Sequence, residues 1–322
     1  MDLIYTNANK EDVGVLLAYD LDLAFGADEN DFECKIQISE HCCEAGAYLY
    51  IEGTEYGGII DEIKSDTTEG EVIYKGRTWH GILNSKVLEP DPGKAYLVVS
   101  GDANGIIGSL LDRMGLSGLF GASVASSGLT IKSYKMNRYI TGYDGIKKML
   151  ASVGGKLEFT YKDGVVILAA VPIHDYSADE EFDSDQIGFE ITKKHHSVNH
   201  LVCLGSGELE NRMIVHLYVD ESGNISQTQT LFDLDEYAAV YDYSDVESEE
   251  ELIKSGTSRL KELWEPDSMT IDFDSDSDIY DVGDVVGAFD NVTGINIYAA
   301  ITKKIVTITN GKINISYKVG EE

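Results

Sequence analysis

At 322 residues, with 43% hydrophobic and 25% charged residues, the chain has the composition of an ordinary globular protein and enough length for two or three domains. No apolar run approaches the ~18 residues of a membrane span, so no membrane insertion is expected, and Cys34, Cys42, Cys43 and Cys203 offer neither a disulfide framework nor the C-x-x-C spacing of a redox or zinc site. Asp and Glu number 57 against 25 Lys and Arg; the net charge of −32 repels polyanions and argues against sequence-specific nucleic-acid binding, though not against passage of DNA.

The N-terminus, Met1-Asp2-Leu3-Ile4, carries an acid where a secretory signal carries base, and no long apolar block follows, so synthesis in a cytoplasm is expected. From Asp12 to about Pro90 the pattern is strands and turns. Phe32 to Ile38 alternates, Gly46 to Gly53 alternates, and Gly57 to Lys64 is joined by an Asp66-to-Gly70 turn to Glu71–Gly76, enough short strands for a small barrel. Pro90-Asp91-Pro92-Gly93 is the clearest punctuation and predicts a domain edge.

The next block changes character. Ile106, Ile107, Leu110, Leu111 and Met114 share one helical face that Gly115 can close, and Ile146, Met149, Leu150 and Val153 repeat the pattern before Gly154-Gly155. Asp163-Gly164 then predicts a hairpin that sets Tyr161 and Phe159 beside Val166 and Leu168. After the acidic linker Ser177–Glu181 the chain returns to strands over Ile187–Ile191, Asn199–Leu204 and Asn211–Val219. One helix interrupts at about 248–264, announced by Ser248 with Glu251 three residues on, a capping box, and carrying Leu252, Gly256, Leu260, Leu263 and Trp264 on its apolar side.

The last forty residues form a β meander. Asn310-Gly311 is the strongest short hairpin signal, and its register sets Ile308 opposite Ile313 and Val306 opposite Ile315, with Thr307, Asn314 and Ser316 on the other face. A closed or nearly closed antiparallel barrel is expected to end here. The fold class is thus mixed, mainly β: two small antiparallel β-barrel domains, over 1–92 and 179–322, with an inserted α+β domain over 93–178.

Chemistry is sparse. Asp272-Phe273-Asp274-Ser275-Asp276-Ser277-Asp278 resembles the start of a calcium loop, but Ser277 and Gly283 fall where Gly and an acid belong, so a solvated acidic strand face is the simpler reading. His195, His196 and His200 cluster without an H-E-x-x-H pattern, and their β-branched surroundings favour a strand, where i and i+4 lie too far apart to chelate. Gly205-Ser206-Gly207 suggests a phosphate loop, yet no Lys follows in register and Glu208 and Glu210 would repel phosphate. No catalytic, cofactor-binding or metal-ligating residue is assigned, no cofactor is expected, and no enzyme activity.

Three stretches together resemble a known family. Gly76-Arg77-Thr78-Trp79-His80-Gly81-Ile82-Leu83, then Val198-Asn199-His200-Leu201-Val202-Cys203-Leu204-Gly205 leading to Gly207-Glu208-Leu209 and Arg212, then Tyr280-Asp281-Val282-Gly283-Asp284-Val285-Val286 with the final hairpin, look like the tail hub proteins of bacteriophages. The likeness is to the siphovirus-type hub group, also found in prophages and contractile injection machines and similar to the baseplate hub of contractile phages. It implies a homotrimer whose two tube-type barrels per chain make a pseudo-sixfold ring, adapting a tail tube or distal tail protein above to a spike or tail-tip protein below, in a virion tail or tail-like particle. Members often continue into a cell-wall hydrolase; here the chain stops at Glu322 after the meander, so the adaptor role alone is carried over. Part of the acidic excess, the Asp272 to Asp278 run included, is expected to line the ring, because attractive bases would trap a polyanion. Two other classes stay open: a saccharide-binding surface module with some of 19 tyrosines as stacking platforms, and a carboxylate-dependent cell-wall hydrolase.

Overall fold

A computed structural model describes residues 2–178, 181–183, 197–220, 223–246, 248–264, 271–275, 279–289, 291–294 and 296–320. The fold is mainly β, and its contacts divide it into two compact units, Met1–Glu190 with Ile271–Glu322, and Ile191–Thr270.

The larger unit opens with seven strands, β1 (Leu3–Thr6), β2 (Asp12–Leu16), β3 (Asp20–Gly26), β4 (Asp31–Gln37), β5 (Tyr48–Tyr50), β6 (Gly57–Asp66) and β7 (Glu71–Thr78). They alternate as half-buried strands should: Leu21, Leu23, Phe32, Cys34, Ile36, Val72 and Tyr74 are buried while Asp20, Asp31, Lys35 and Gln37 are exposed. The short helix α1 (Trp79–Asn84) follows, capped by Thr78, whose hydroxyl accepts from the Gly81 amide at 3.3 Å.

The inserted block holds β8 (Val87–Leu88), β9 (Val98–Asp102), α2 (Ala103–Arg113), β10 (Phe120–Ala122), β11 (Thr130–Lys135), β12 (Ile140–Thr141), α3 (Gly142–Ala151), β13 (Gly155–Lys162) and β14 (Val165–Pro172). Both helices fall where their periodicity predicts, burying Ile106, Ile107, Leu110 and Leu111 from α2 and Ile146, Met149 and Leu150 from α3. The chain leaves each helix through a left-handed glycine, Gly115 at φ 70° and Gly154 at φ 70°. The β13–β14 hairpin has the predicted register, Tyr161 opposite Val166 and Phe159 opposite Leu168. One continuous core runs from Trp79 and Leu83 through both helices to Phe159 and Leu168, so the inserted block is packed onto the first β region.

The smaller unit contains β16 (His200–Leu204), β17 (Ile214–Val219), β18 (Ile225–Ser226), β19 (Ala238–Asp242) and α4 (Glu249–Leu263), while β15 (Glu181–Asp183) precedes it in the larger one. Its sheet has the order β18-β17-β16-β19, with β19 parallel to β16. Leu252 and Leu260 of α4 cover Leu201, Cys203, Val215 and Leu217. A Cβ on Gly256 would lie 2.5 Å from Cys203 Sγ, so glycine lets the helix approach the sheet. The capping box predicted at Ser248 does not form: its side chain makes no cap bond, and Glu249, Glu250 and Glu251 in the first turn complement the helix dipole instead. The predicted strand over Ile187–Ile191 lies outside the described residues.

The chain returns to the larger unit with β20 (Ile271–Ser275), β21 (Val285–Phe289), β22 (Asn296–Thr309) and β23 (Lys312–Val319). Asn310 at φ 53° and Gly311 at φ 74° make the predicted turn, and Ile308 pairs with Ile313 and Val306 with Ile315. The far edge of β22 pairs with β3, from Lys303 opposite Gly26 to Thr309 opposite Asp20. The terminal meander is therefore hydrogen-bonded to the N-terminal strands. It completes the N-terminal sheet, which among the described residues runs β15-β21-β22-β3-β4-β7-β6-β5-β1-β2, with β23 and β20 branching from β22 and without the pairing that would close it into a barrel. The reason is burial: Val306 and Ile308 are 0% and 1% exposed, and the two-stranded β22–β23 hairpin needs further strands to cover them.

Candidate functional site

The first and third sequence stretches, distant in sequence, meet through a chain of buried charges in the larger unit. Lys156 on β13 donates to Asp281 Oδ2 at 2.7 Å and to Asp284 Oδ2 at 2.8 Å, and the fully buried Asp284 also accepts from the His174 amide at 3.0 Å. Lys304 on β22, also buried, lies 2.8 Å from Glu55 Oε1 and 3.5 Å from Asp281 Oδ1. Glu55 Oε2 in turn lies 3.6 Å from His80 Nε2. Three carboxylates and two ammoniums thus alternate across the first β region, the inserted block and the meander. Burial pulls the Lys156 ammonium down, and its bonds to Asp281 and Asp284 outweigh that and leave its pKa above the ordinary lysine value.

His80 closes the chain as a neutral ring. It stacks on Phe25 at 4.5 Å and packs tilted by 37° against Phe159 at 3.7 Å between ring centroids, and its Nδ1 is buried without a hydrogen-bond partner. Burial first, then the charges of Lys304 and Lys147, hold its pKa well below 6.5. Trp79 beside it is fully buried and stacks on Tyr161 at 5.1 Å. Arg77 points the other way, onto the outer face, where Nε and one NH2 grip Asp61 at 2.8 Å each. Around these two stretches the arrangement is a weld between segments, with each carboxylate matched to an ammonium.

The outer face of the main sheet is acidic. Register aligns Thr307, Asp22, Glu33, Lys75 and Glu62 in one row across five strands, and Thr309, Asp20 and Lys35 in the next. They line a trough of about 710 Å³ together with Glu29, Asp31, Asp61 and Arg77, seven carboxylates against three cations. Asp22 stands directly opposite Glu33, a like-charge pair that costs stability. Burial, then Glu29, Glu33 and Asp31, push the Asp22 carboxyl up; burial and Glu29 do the same to Asp31. Lys75 at 2.6 Å and Lys35 at 3.0 Å hold Glu33 down instead, and the Arg77 guanidinium holds Asp61 down. The alternation Asp20-Leu21-Asp22-Leu23 is the sequence signal for this face, and it was not singled out among the candidates above.

The predicted acidic run begins on the same sheet: β20 sets Asp272 opposite Lys318 and Asp274 opposite Ser316, whereas Asp276 and Asp278 lie outside the described residues. His195 and His196 also lie outside them. His200 sits on β16 with Nδ1 2.5 Å from Glu236 Oε1 and Nε2 2.8 Å from His216 Nδ1, and its ring stacks on Tyr218. Asn199 donates to Asp235 O at 2.6 Å and accepts from the Tyr237 amide at 2.9 Å, fastening the loop before β19. At Gly205-Ser206-Gly207 the first two amides donate to Met213 O and Val246 O, so they are not turned toward a phosphate, and Arg212 ties the turn by donating to Gly205 O at 3.1 Å. All four cysteines are free; burial pushes the Cys34 thiol up to about 12 and the Cys203 thiol up to about 11. Among the described residues no group of three or more His, Cys, Asp or Glu side chains is placed to hold a metal ion.

No protein-family model and no curated protein matches the sequence. Solved structures do match, over nearly the whole chain. The tail protein from Neisseria meningitidis MC58 aligns with a TM-score of 0.52 at 15% identity, covering 100% of this chain and 96% of that one. The 43 kDa tail protein of prophage MuSo2 from Shewanella oneidensis aligns at 0.55 and 10% identity, covering 99% and 98%. The fold is that of phage tail proteins. Prophage tail protein gp18 from Listeria monocytogenes EGD-e matches at 0.52 and 12% identity over 99% and 94%, and a chain of the phage P2 baseplate in its activated conformation matches at 0.52 and 10% over 98% of each.

Proposed function

We propose that the chain is a structural hub of a phage-type tail: a homotrimer whose ring adapts a tail tube or distal tail protein above to a spike or tip protein below, with the acidic sheet face turned to the channel. The observation that carries this reading is the tail-protein fold over the full chain, coupled to strands that bury Leu21, Leu23, Phe32 and Cys34 on one face and present Asp20, Asp22, Asp31 and Glu33 on the other. A polyanion crosses such a surface without adhering, because no counterions are released by contact with carboxylates. The opposed Asp22 and Glu33, which cost stability in the isolated chain, are consistent with a face kept acidic for use rather than for folding. The same reading makes the chain a virion or tail-particle component with no lytic activity of its own.

Native mass measurement with negative-stain imaging tests it. A mass of three chains and rings with a central hole support the hub; a uniform monomer at all concentrations, or turnover of peptidoglycan by the purified chain, overturns it.

A further inference from the structure

The two-stranded ribbon of β9 and β11 carries a charge opposite to that of the chain as a whole. Residues 95–101 and 130–139 hold Lys132, Lys135 and Arg138 and no Asp or Glu, in a sequence with 57 acids and 25 bases. Asp102, which ends β9, is turned to the start of α2, where it caps the helix and accepts from Ser126 and Ser127. The three cations are exposed, and among the described residues none of them pairs with a carboxylate.

Register turns this patch outward. Val99 and Tyr134 pack on the core of the larger unit, so their neighbours Val98 and Lys135, which stand opposite each other, point away from it. The Met136 amide donates to Leu97 O at 2.9 Å, which carries the pairing on and sets Tyr96 on the outer side as well. Tyr96, Val98 and Tyr139 are 40%, 57% and 59% exposed. Lys135 Nζ lies 3.5 Å from the Tyr96 ring centroid, and the Arg138 guanidinium lies 5.2 Å from that of Tyr139. Tyr139 holds φ 56°, a left-handed backbone that suits glycine and is costly for an aromatic residue, and strain of this kind collects where a side chain is used.

We propose that the β9–β11 ribbon of one copy docks on an acidic face of a second copy; this rests on the homotrimer proposed above. Two chains of −32 repel, so a stable contact between them needs a place where the sign is reversed. All 57 acids lie outside the two ribbon segments, so the partner copy has carboxylates to offer Lys132, Lys135 and Arg138. Tyr96, Val98 and Tyr139 supply apolar area beside the charges, and Tyr and Arg are the side chains that anchor protein interfaces. Because a basic patch meets an acidic one, the contact joins unlike surfaces, the kind that closes into a ring when its rotation permits.

Carbodiimide cross-linking of mixed isotopically light and heavy chains tests the contact, because this reagent joins an ammonium only to a carboxylate that it touches. Links from Lys132 or Lys135 to an Asp or Glu of the other isotope are expected. In sedimentation, with circular dichroism checking that each variant folds, K132E/K135E/R138E is expected to associate about tenfold more weakly or worse, with a shallower salt dependence. Tyr139→Gly removes a ring and the left-handed strain together, so it is expected to weaken association without lowering the melting temperature. Association undiminished in the triple variant, or links confined to single copies while the wild-type chain associates, overturns this contact and leaves the hub reading intact. A wild-type chain that never associates overturns both.

Discussion

Because His80 is held between Phe25 and Phe159 beside the Lys304 ammonium, the folded protein resists a proton that the unfolded chain accepts once the pH drops below about 6.5. The unfolded state then binds more protons than the folded one, so stability is lost as the pH is lowered below about 6.5, by at most about 1.4 kcal/mol per pH unit from this group. His80→Phe keeps the aromatic stack and removes the titration; urea unfolding between pH 5 and 7 is expected to show a smaller loss for the variant, and equal slopes would contradict this account. Asp284 makes the second residue-scale case. Asp284→Ala strips a bond from Lys156 and the acceptor from the His174 amide, and a loss of about 3–5 kcal/mol is expected in chemical denaturation, the range for breaking a buried pair. A loss under about 1 kcal/mol would place this pair among weakly coupled surface contacts.

Elements differ in how much of their placement is local. The turns at Asn310-Gly311 and Asp163-Gly164 set register within a few residues, so both hairpins were legible down to the paired side chains. The helices α2 and α3 were equally legible because each repeats its apolar face over several turns and ends on a glycine. Pairing of β22 with β3 was not, since no local pattern says which distant strand covers Val306 and Ile308. Nor was α1, whose six residues are too few to display helical periodicity. Of the acidic site, the run at Asp272 was seen, while Asp20 and Asp22 became a site only when register set them beside Glu33 and the Asp61 pair. Glycines in the first stretch carry a packing demand: a Cβ on Gly76 would lie 1.8 Å from Ile59 O, whereas one on Gly311 meets nothing within 4 Å and is disfavoured by φ alone. Gly311→Ala is therefore expected to cost about 1–2 kcal/mol, and Gly76→Ala to cost more, because β6 and β7 must separate at their bulge. Thermal melts that rank the two the other way would count against the close approach.

At the scale of the whole molecule, the proposed hub joins the charge to the fold. A chain of −32 has few places where a second copy is welcome, and an acidic sheet face is poorly suited to any of them. In the proposed ring that face lies where only a repelled polyanion passes. Cryo-electron microscopy of the assembled ring tests this most directly. The account predicts three copies around a central channel, with Asp20, Asp22, Asp31 and Glu33 on its wall; a channel wall formed by another surface, with these residues on the outside of the ring or buried between copies, would contradict it.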